Sequence, residues 1–83
     1  MNAKIKFIEK PIFNYPYNKF MHTTKIEGVE NLFSLCFIMN LKLDELTYMG
    51  YAFLLIDPNE TFQAGTKFQC LAGTKVILDG EFI

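Results

Sequence analysis

The chain has 83 residues, of which 51% are hydrophobic and nine are Phe, so it holds enough apolar material for one domain spanning residues 1–83. The chain contains eight Lys, nine acidic residues and no Arg. Arg grips phosphate with paired hydrogen bonds that Lys cannot copy, and nucleic-acid modules are usually basic. With a pI near 5.7, a nucleic-acid partner is therefore disfavoured.

Two strands are predicted in the first third of the chain. Residues 3–9 alternate lysines with large apolar residues, which is the period of a half-buried strand, and Pro11 ends it because proline lacks a backbone donor. Residues 19–26 are rich in β-branched and aromatic residues and form the next strand. Between them, residues 11–17 hold two prolines and three aromatics. We expect an ordered surface loop whose rings pack back onto the fold.

The middle of the chain is apolar almost throughout. Residues 32–39 fit either a buried strand or a buried helix by periodicity alone. We favour a strand, because Phe and Cys are middling helix formers and the neighbouring segments are strands. Residues 40–45 fit one helical turn, a short strand or a loop that covers the end of a barrel.

The last third alternates apolar segments with turn residues. Residues 51–56, 66–71 and 75–78 are predicted strands, separated by turns at residues 57–60 and at two Ala-Gly pairs. About five to seven short strands, spaced about ten residues apart without a long helix, indicate an all-β fold. A small antiparallel β-barrel is expected, since closure removes exposed strand edges.

The cysteines and the apolar runs bear on location and cofactors. Cys36 and Cys70 each lie in an apolar run, which favours free buried thiols in a reducing cytoplasm, while a disulfide between them stays open. No metal-ligand spacing and no signal-peptide pattern occur. Apolar runs of about six residues fall far below the roughly 20 of a membrane-spanning helix. A cytoplasmic protein without cofactor, metal or membrane contact is predicted.

The end of the chain resembles a known family. Residues 58–83 are similar to the closing segment of the C-terminal β-barrel of the elongation factor Tu family, of the type G-x-[RK]-F-x-x-[RK]-E-G-x-[RK]-T-V-G-x-G-x-[VI]. Residues 14–16, Asn-Tyr-Pro, loosely match its G-Y-R-P turn. The positions that match in type and spacing are Gly65, Lys67, Phe68, Gly73 and Val76. The resemblance implies a stand-alone barrel of that kind.

In that family the domain binds the acceptor side of charged tRNA and packs on the nucleotide-binding domain. The charged residues of the pattern before the turn are replaced here by Cys70, Leu71 and Ala72. The matching positions are those that shape a hairpin, so the resemblance implies fold more directly than tRNA binding.

No catalytic constellation is found in the sequence. GTP hydrolysis is excluded because the phosphate-binding motif GxxxxGK[ST] is absent. His22 is the only group with an ordinary pKa near neutrality and lacks a neighbouring nucleophile. Asp44-Glu45 and Asp57-Pro58-Asn59-Glu60 fit solvated turns better than a carboxylate dyad or a calcium loop. A non-enzymatic protein is predicted.

One aromatic cluster with interleaved cations is a candidate binding site. Rings beside cations anchor protein interfaces or stack on bases. The predicted site residues are Phe13, Tyr15, Tyr17, Lys19, Phe20 and His22. The alternative is that the phenylalanines are core and the tyrosines cover them.

The leading functional prediction is a module that recognises a protein partner through this cluster. One alternative is an RNA-binding (tRNA-like) module that uses Lys10, Lys19 and Lys25. Another is a small immunity-type or phage-type inhibitor, and a homo-oligomer stays open.

Overall fold

The computed structural model describes residues 1–11 and 19–83, and within them the chain is all-β without a helix. The strands are β1 (Asn2–Phe7), β2 (Lys19–Ile26), β3 (Phe33–Lys42), β4 (Thr47–Leu54), β5 (Lys67–Ala72) and β6 (Lys75–Phe82). All neighbouring pairs are antiparallel, and the order β1-β4-β3-β2-β5-β6 closes because β6 pairs with β1. The predicted small antiparallel barrel is confirmed.

Strand alternation fills the interior. In β1, Ala3, Ile5 and Phe7 are buried while the residues between them are exposed, as predicted. The same period puts large apolar side chains from all six strands into one continuous core. Burial of each large side chain contributes about 1.5–3 kcal/mol to folding. The innermost large side chains are Phe37, Phe68, Phe82, Ile5, Ile26, Leu35 and Leu78.

Two glycines inside strands make room for these rings. The Phe37 ring covers Gly50 of β4, where a Cβ would meet the carbonyl oxygen of Ile38 and lie 2.8 Å from the Phe37 Cζ. The Phe68 ring covers Gly80 of β6 in the same way, with its Cε2 2.7 Å from a Cβ placed there. Small residues opposite large ones let a narrow barrel close without voids.

The β5–β6 hairpin has the turn that the sequence predicts. Ala72 pairs with Lys75, so Gly73 and Thr74 form a two-residue loop. Gly73 has φ of +63°, a conformation that glycine adopts without the steric cost of a Cβ.

Residues 32–39 form a strand as predicted, but several boundaries were wrong. β3 continues to Lys42, so residues 40–42 extend the strand and do not form a helical turn. β4 runs from Thr47 to Leu54 instead of over residues 51–56, because Gly50 lies inside the strand under a ring and does not begin it. For the same reason β6 continues past Gly80 to Phe82 instead of stopping at residue 78.

Candidate functional site

The structure separates the described members of the predicted binding cluster. Lys19 is exposed on the outside of β2, whereas Phe20 and His22 are half-buried on the inward side of the same strand. Alternating residues of a strand point to opposite faces, so the three side chains cannot form one surface. The other predicted members, Phe13, Tyr15 and Tyr17, lie outside the described residues, as does most of the predicted loop at residues 11–17.

Phe20 and His22 line a groove of about 330 Å³ at one end of the barrel. The Phe20 ring stacks on Phe37 at 5.4 Å and contacts the His22 ring at the same centroid distance. Burial lowers the pKa of the His22 imidazole, so the ring is neutral at pH 7. The remaining lining residues are Phe7, Ile8, Glu9, Lys10, Pro11, Lys75, Val76 and Ile77.

A larger feature covers the outside of β2, β3 and β4. Residues directly opposite in register share one face of the sheet, and here they join apolar side chains across three strands. Cys36 lies between Met21 and Phe53, and Ile38 lies opposite Tyr51. The set, named here the apolar face, comprises Met21, Cys36, Ile38, Leu41, Met49, Tyr51, Phe53 and Leu55.

Much of the apolar face is open to solvent. Exposed fractions are 54% for Leu55, 53% for Met21 and Leu41, 44% for Tyr51 and 36% for Ile38. The Tyr51 and Phe53 rings lie 6.2 Å apart at 40°, which places two aromatic rings near the centre. Contiguous exposed apolar surface of this kind typically marks an interaction site.

A bulge in β3 extends the apolar face. The register of β3 against β4 shifts between Met39 and Leu41, leaving Asn40 as an extra residue. Before the shift Met39 points inward and is buried, and after it Leu41 points outward opposite Met49.

The other side of the barrel is polar. Lys4 of β1 lies opposite Glu81 of β6, and Glu81 lies opposite Lys67 of β5. In the adjacent row, the Gln69 Nε2 donates to the Asp79 Oδ1 at 2.9 Å. The charged face, as we name it, comprises Lys4, Lys6, Lys67, Gln69, Asp79 and Glu81.

The two cysteines occupy opposite environments. Both are free, as predicted. Cys36 is only half-buried on the apolar face, so the prediction that it is buried was wrong. Cys70 lies inside the barrel, where burial raises the pKa of its thiol to about 11. Its Sγ lies 3.2 Å from the Oγ1 of buried Thr24.

The carboxylates of the predicted acidic turns make local hydrogen bonds and ion pairs. Asp44 accepts hydrogen bonds from the backbone N–H groups of Leu46 and Thr47, which lower the pKa of its carboxyl. Glu45 pairs with Lys10 at 3.1 Å and with Lys42 at 3.7 Å. Asp57 accepts from the Asn59 N–H within its own turn. These carboxylates lie on solvated corners, as expected.

Within residues 1–11 and 19–83, no group of three or more His, Cys, Asp or Glu side chains is placed to hold a metal ion.

The part of the chain that the structure describes contains no helix long and apolar enough to span a membrane.

Comparison of the chain with protein-family models, with curated proteins and with solved structures finds no match. The elongation factor Tu resemblance therefore stays a prediction.

Sequence reasoning missed the apolar face, although a signal for it exists. Residues 35–39 and 51–55 are apolar at nearly every position, including those that alternate outward. An antiparallel strand with one solvated face should alternate, so a continuous apolar run predicts a second face that excludes water.

Proposed function

We propose that this protein is a non-enzymatic binding module that recognises another protein through its apolar face. The observation that carries the proposal is the absence of charge at the outward positions of two adjacent strands. Cys36, Ile38 and Leu41 on β3 and Met49, Tyr51 and Phe53 on β4 are all uncharged and mostly apolar.

The composition of this face supports a protein partner. Tyr, Phe and Met are enriched in the centres of protein interfaces, where charged residues are depleted. Tyr51 offers a large ring and a hydroxyl that can stay wet at the edge of a contact. The aliphatic side chains of Ile38, Met21 and Leu55 cannot stack on bases, so they favour protein over RNA.

We propose that recognition takes place in the cytoplasm, where Cys36 stays reduced. The resemblance to a translation-factor barrel, a domain that packs on another domain, supports the same class of function.

The test compares two matched double variants in capture from a lysate of the source organism. Ile38→Thr/Tyr51→Thr removes a directly opposed pair from the apolar face and keeps β-forming residues. Gln69→Thr/Asp79→Thr removes a directly opposed pair from the charged face. We expect the same protein to be captured by the wild type and by the charged-face variant, and to be lost with the apolar-face variant.

A second measurement locates the contact. Cys36 lies in the middle of the apolar face, so bound partner should slow its alkylation by N-ethylmaleimide, measured by mass spectrometry. Capture that both variants retain, that ribonuclease abolishes, or that leaves Cys36 equally reactive would contradict the proposal.

A further inference from the structure

We infer that the barrel carries a second interaction site, where an extended peptide segment of a partner protein adds as a strand to an open edge of β2. This site goes beyond the proposed function, because it lies at the groove at the barrel end and not at the centre of the apolar face. Two observations carry it: one half of β2 has an unpaired edge, and the groove lies beside that half.

The first half of β2 has a neighbouring strand on one side only. β3 pairs with residues 19–24 of β2, whereas β5 pairs only with residues 23–26. β5 ends at Ala72, where the chain turns into β6. Among the residues that the structure describes, the β5 side of residues 19–22 therefore has no strand next to it. Folded proteins usually cover or blunt such an edge, because it can pair with another chain.

The backbone groups on this open side belong to Met21 and Lys19. The N–H of Glu27 donates to the carbonyl oxygen of Lys67 in β5 at 2.9 Å. Backbone groups alternate sides along a strand, so every second residue before Glu27 also faces the β5 side. Two of these residues pair with β5, and the remaining two are Met21 and Lys19. Their N–H and C=O groups form a short row that a second extended backbone can satisfy.

The pairing of β2 with β3 gives the same assignment. In β3, the carbonyl oxygen of Ser34 accepts from the N–H of Leu55, which follows β4. Odd-numbered residues of β3 therefore face β2, where they lie opposite Phe20 and His22. β3 thus occupies the backbone groups of Phe20 and His22, and those of the odd-numbered β2 residues are left on the other side.

The groove can hold the side chains of an added strand. Phe20 and His22 line it from β2, Ile8 lines it just after the end of β1, and Ile77 lines it from β6. Ile8 is 52% exposed, so apolar surface is open to solvent here. Directly opposed side chains of neighbouring strands share one face, so peptide residues opposite Phe20 and His22 would point into the groove. Its volume of about 330 Å³ suits one or two large apolar side chains.

The edge and the groove together select an extended peptide over other occupants. A small apolar molecule could fill the groove but would leave the row of backbone groups unsatisfied. A second copy of this chain would bring β3 along with its own β2, into the space that residues 8–11 border. A single extended segment with apolar residues at every second position meets both the edge and the groove.

Amide hydrogen exchange followed by NMR tests the open edge in the free protein. We expect the N–H of Met21 to exchange at least tenfold faster than that of its neighbour His22, which β3 protects. Equal protection of the two amides would show that the edge is already covered, and would overturn the inference.

A phage-displayed library of random octapeptides then supplies a probe. Enriched sequences should carry large apolar residues two positions apart. The tightest peptide is synthesised with one N-methyl group at each position in turn, which removes one backbone donor. Binding measured by fluorescence anisotropy should weaken about tenfold or more at alternate positions and much less between them, as pairing with one edge requires. No enriched peptide, or losses without alternation, would overturn the inference.

Two substitutions at one position separate the backbone from the side chain. Met21→Pro removes the N–H on the open side and should weaken the selected peptide about tenfold or more. Met21→Thr keeps this N–H and a β-forming residue, so it should bind nearly as tightly as the wild type. Equal losses would overturn the inference. Circular dichroism melting verifies that both variants are folded, and the N-methyl series tests the same pairing without altering the protein.

Failure of this inference is distinguishable from failure of the proposed function. Ile38→Thr/Tyr51→Thr changes the outside of β3 and β4 and leaves the backbone edge of β2 intact, so the selected peptide should still bind it. Peptide binding lost in this variant would overturn the second site and leave the proposed function standing. A dimer in sedimentation equilibrium that Met21→Pro disrupts would replace the peptide by a second copy of this chain.

Discussion

The apolar face and the charged face enclose the same kind of interior and differ only on the outside. Behind the apolar face, the Phe37 ring of β3 covers Gly50 of β4. Behind the charged face, the Phe68 ring of β5 covers Gly80 of β6. Packing of this interior specifies the fold, whereas the outward side chains leave it largely unaffected. The chemical difference between the two faces is therefore a property of the surface that the fold itself does not require.

The largest expected loss of stability tests whether the core behind each face requires a glycine beneath a Phe ring. Gly50→Ala should cost about 3 kcal/mol or more of the free energy of unfolding, because the added Cβ meets a backbone carbonyl as well as the ring. Gly80→Ala should cost about 2–3 kcal/mol through the Phe68 ring alone. Urea denaturation followed by circular dichroism measures both.

The matched control for both glycine variants is Gly28→Ala. Gly28 has φ of +79° and open space around it, so only backbone strain of about 1 kcal/mol is expected. An equal loss of stability in all three variants would contradict the idea that Gly50 and Gly80 are required because a Phe ring covers them.

A smaller effect is expected at β2 and β5, where the two faces join. Buried Thr24 donates its hydroxyl to the carbonyl oxygen of His22 at 3.0 Å and lies beside the thiol of Cys70. Thr24→Val keeps the shape and should cost about 1 kcal/mol in urea unfolding. Thr23→Val, outward on the same strand, should leave stability nearly unchanged. Equal losses would show that the hydroxyl does not stabilise this junction.

The barrel-end groove predicts a pH dependence that neither face shares. The pKa of His22 is lower in the folded chain than its unfolded value near 6.5, owing to burial, so the unfolded state binds its proton first. Stability should fall as the pH drops through 6.5 towards the folded pKa and level off below it. His22→Gln should remove this part of a pH series of thermal unfolding curves.

Carboxylates contribute in a separate range. The lowered pKa of Asp44 predicts stability that is present above its ordinary value and lost under more acidic conditions. A stability change between pH 7 and 5 that is as large in His22→Gln as in the wild type would contradict the assignment to His22.

The smallest effect is expected from the outward double variants. Ile38→Thr/Tyr51→Thr and Gln69→Thr/Asp79→Thr should each change the free energy of unfolding by about 1 kcal/mol or less, since surface substitutions are usually worth about 0.5 kcal/mol each. Both are measured in urea under identical conditions. A much larger loss for the apolar-face variant alone would mean that Ile38 and Tyr51 stabilise the fold, and would contradict a face kept for binding.

The sequence predicts the strands well where one side of the sheet is buried and the other is wet. In β1, lysine alternates with apolar residues, and the burial pattern follows directly. The hairpin at Gly73 is predicted for a similarly local reason, because two residues and one positive φ define it.

The true extents of β4 and β6 could not be predicted, because the glycines inside them, Gly50 and Gly80, have two opposite uses in proteins. In a turn it supplies φ that other residues avoid, and in a narrow barrel it supplies space for a ring from the next strand. Only the register across strands separates these uses. Asn40 poses the same problem, since a bulge depends on pairing and not on local composition.

The described members of the predicted candidate site do not share one surface, for a different physical reason. Lys19, Phe20 and His22 are close in sequence, but adjacent strand positions point to opposite sides. The apolar face unites residues far apart in sequence, such as Met21 and Phe53, through two strand pairings. Proximity along a strand is therefore a poor guide to a shared surface.

The pairing of β1 with β6 has a consequence for biosynthesis. Lys4 pairs with Glu81 only after the residues from β1 to β6 have left the ribosome, so closure must await the last strand. Until then β1 and β5 each present an unpaired backbone edge beside hydrophobic sequence, a state in which nascent chains stick to one another. We expect slow emergence of β6 from the ribosome to lower the yield of native protein.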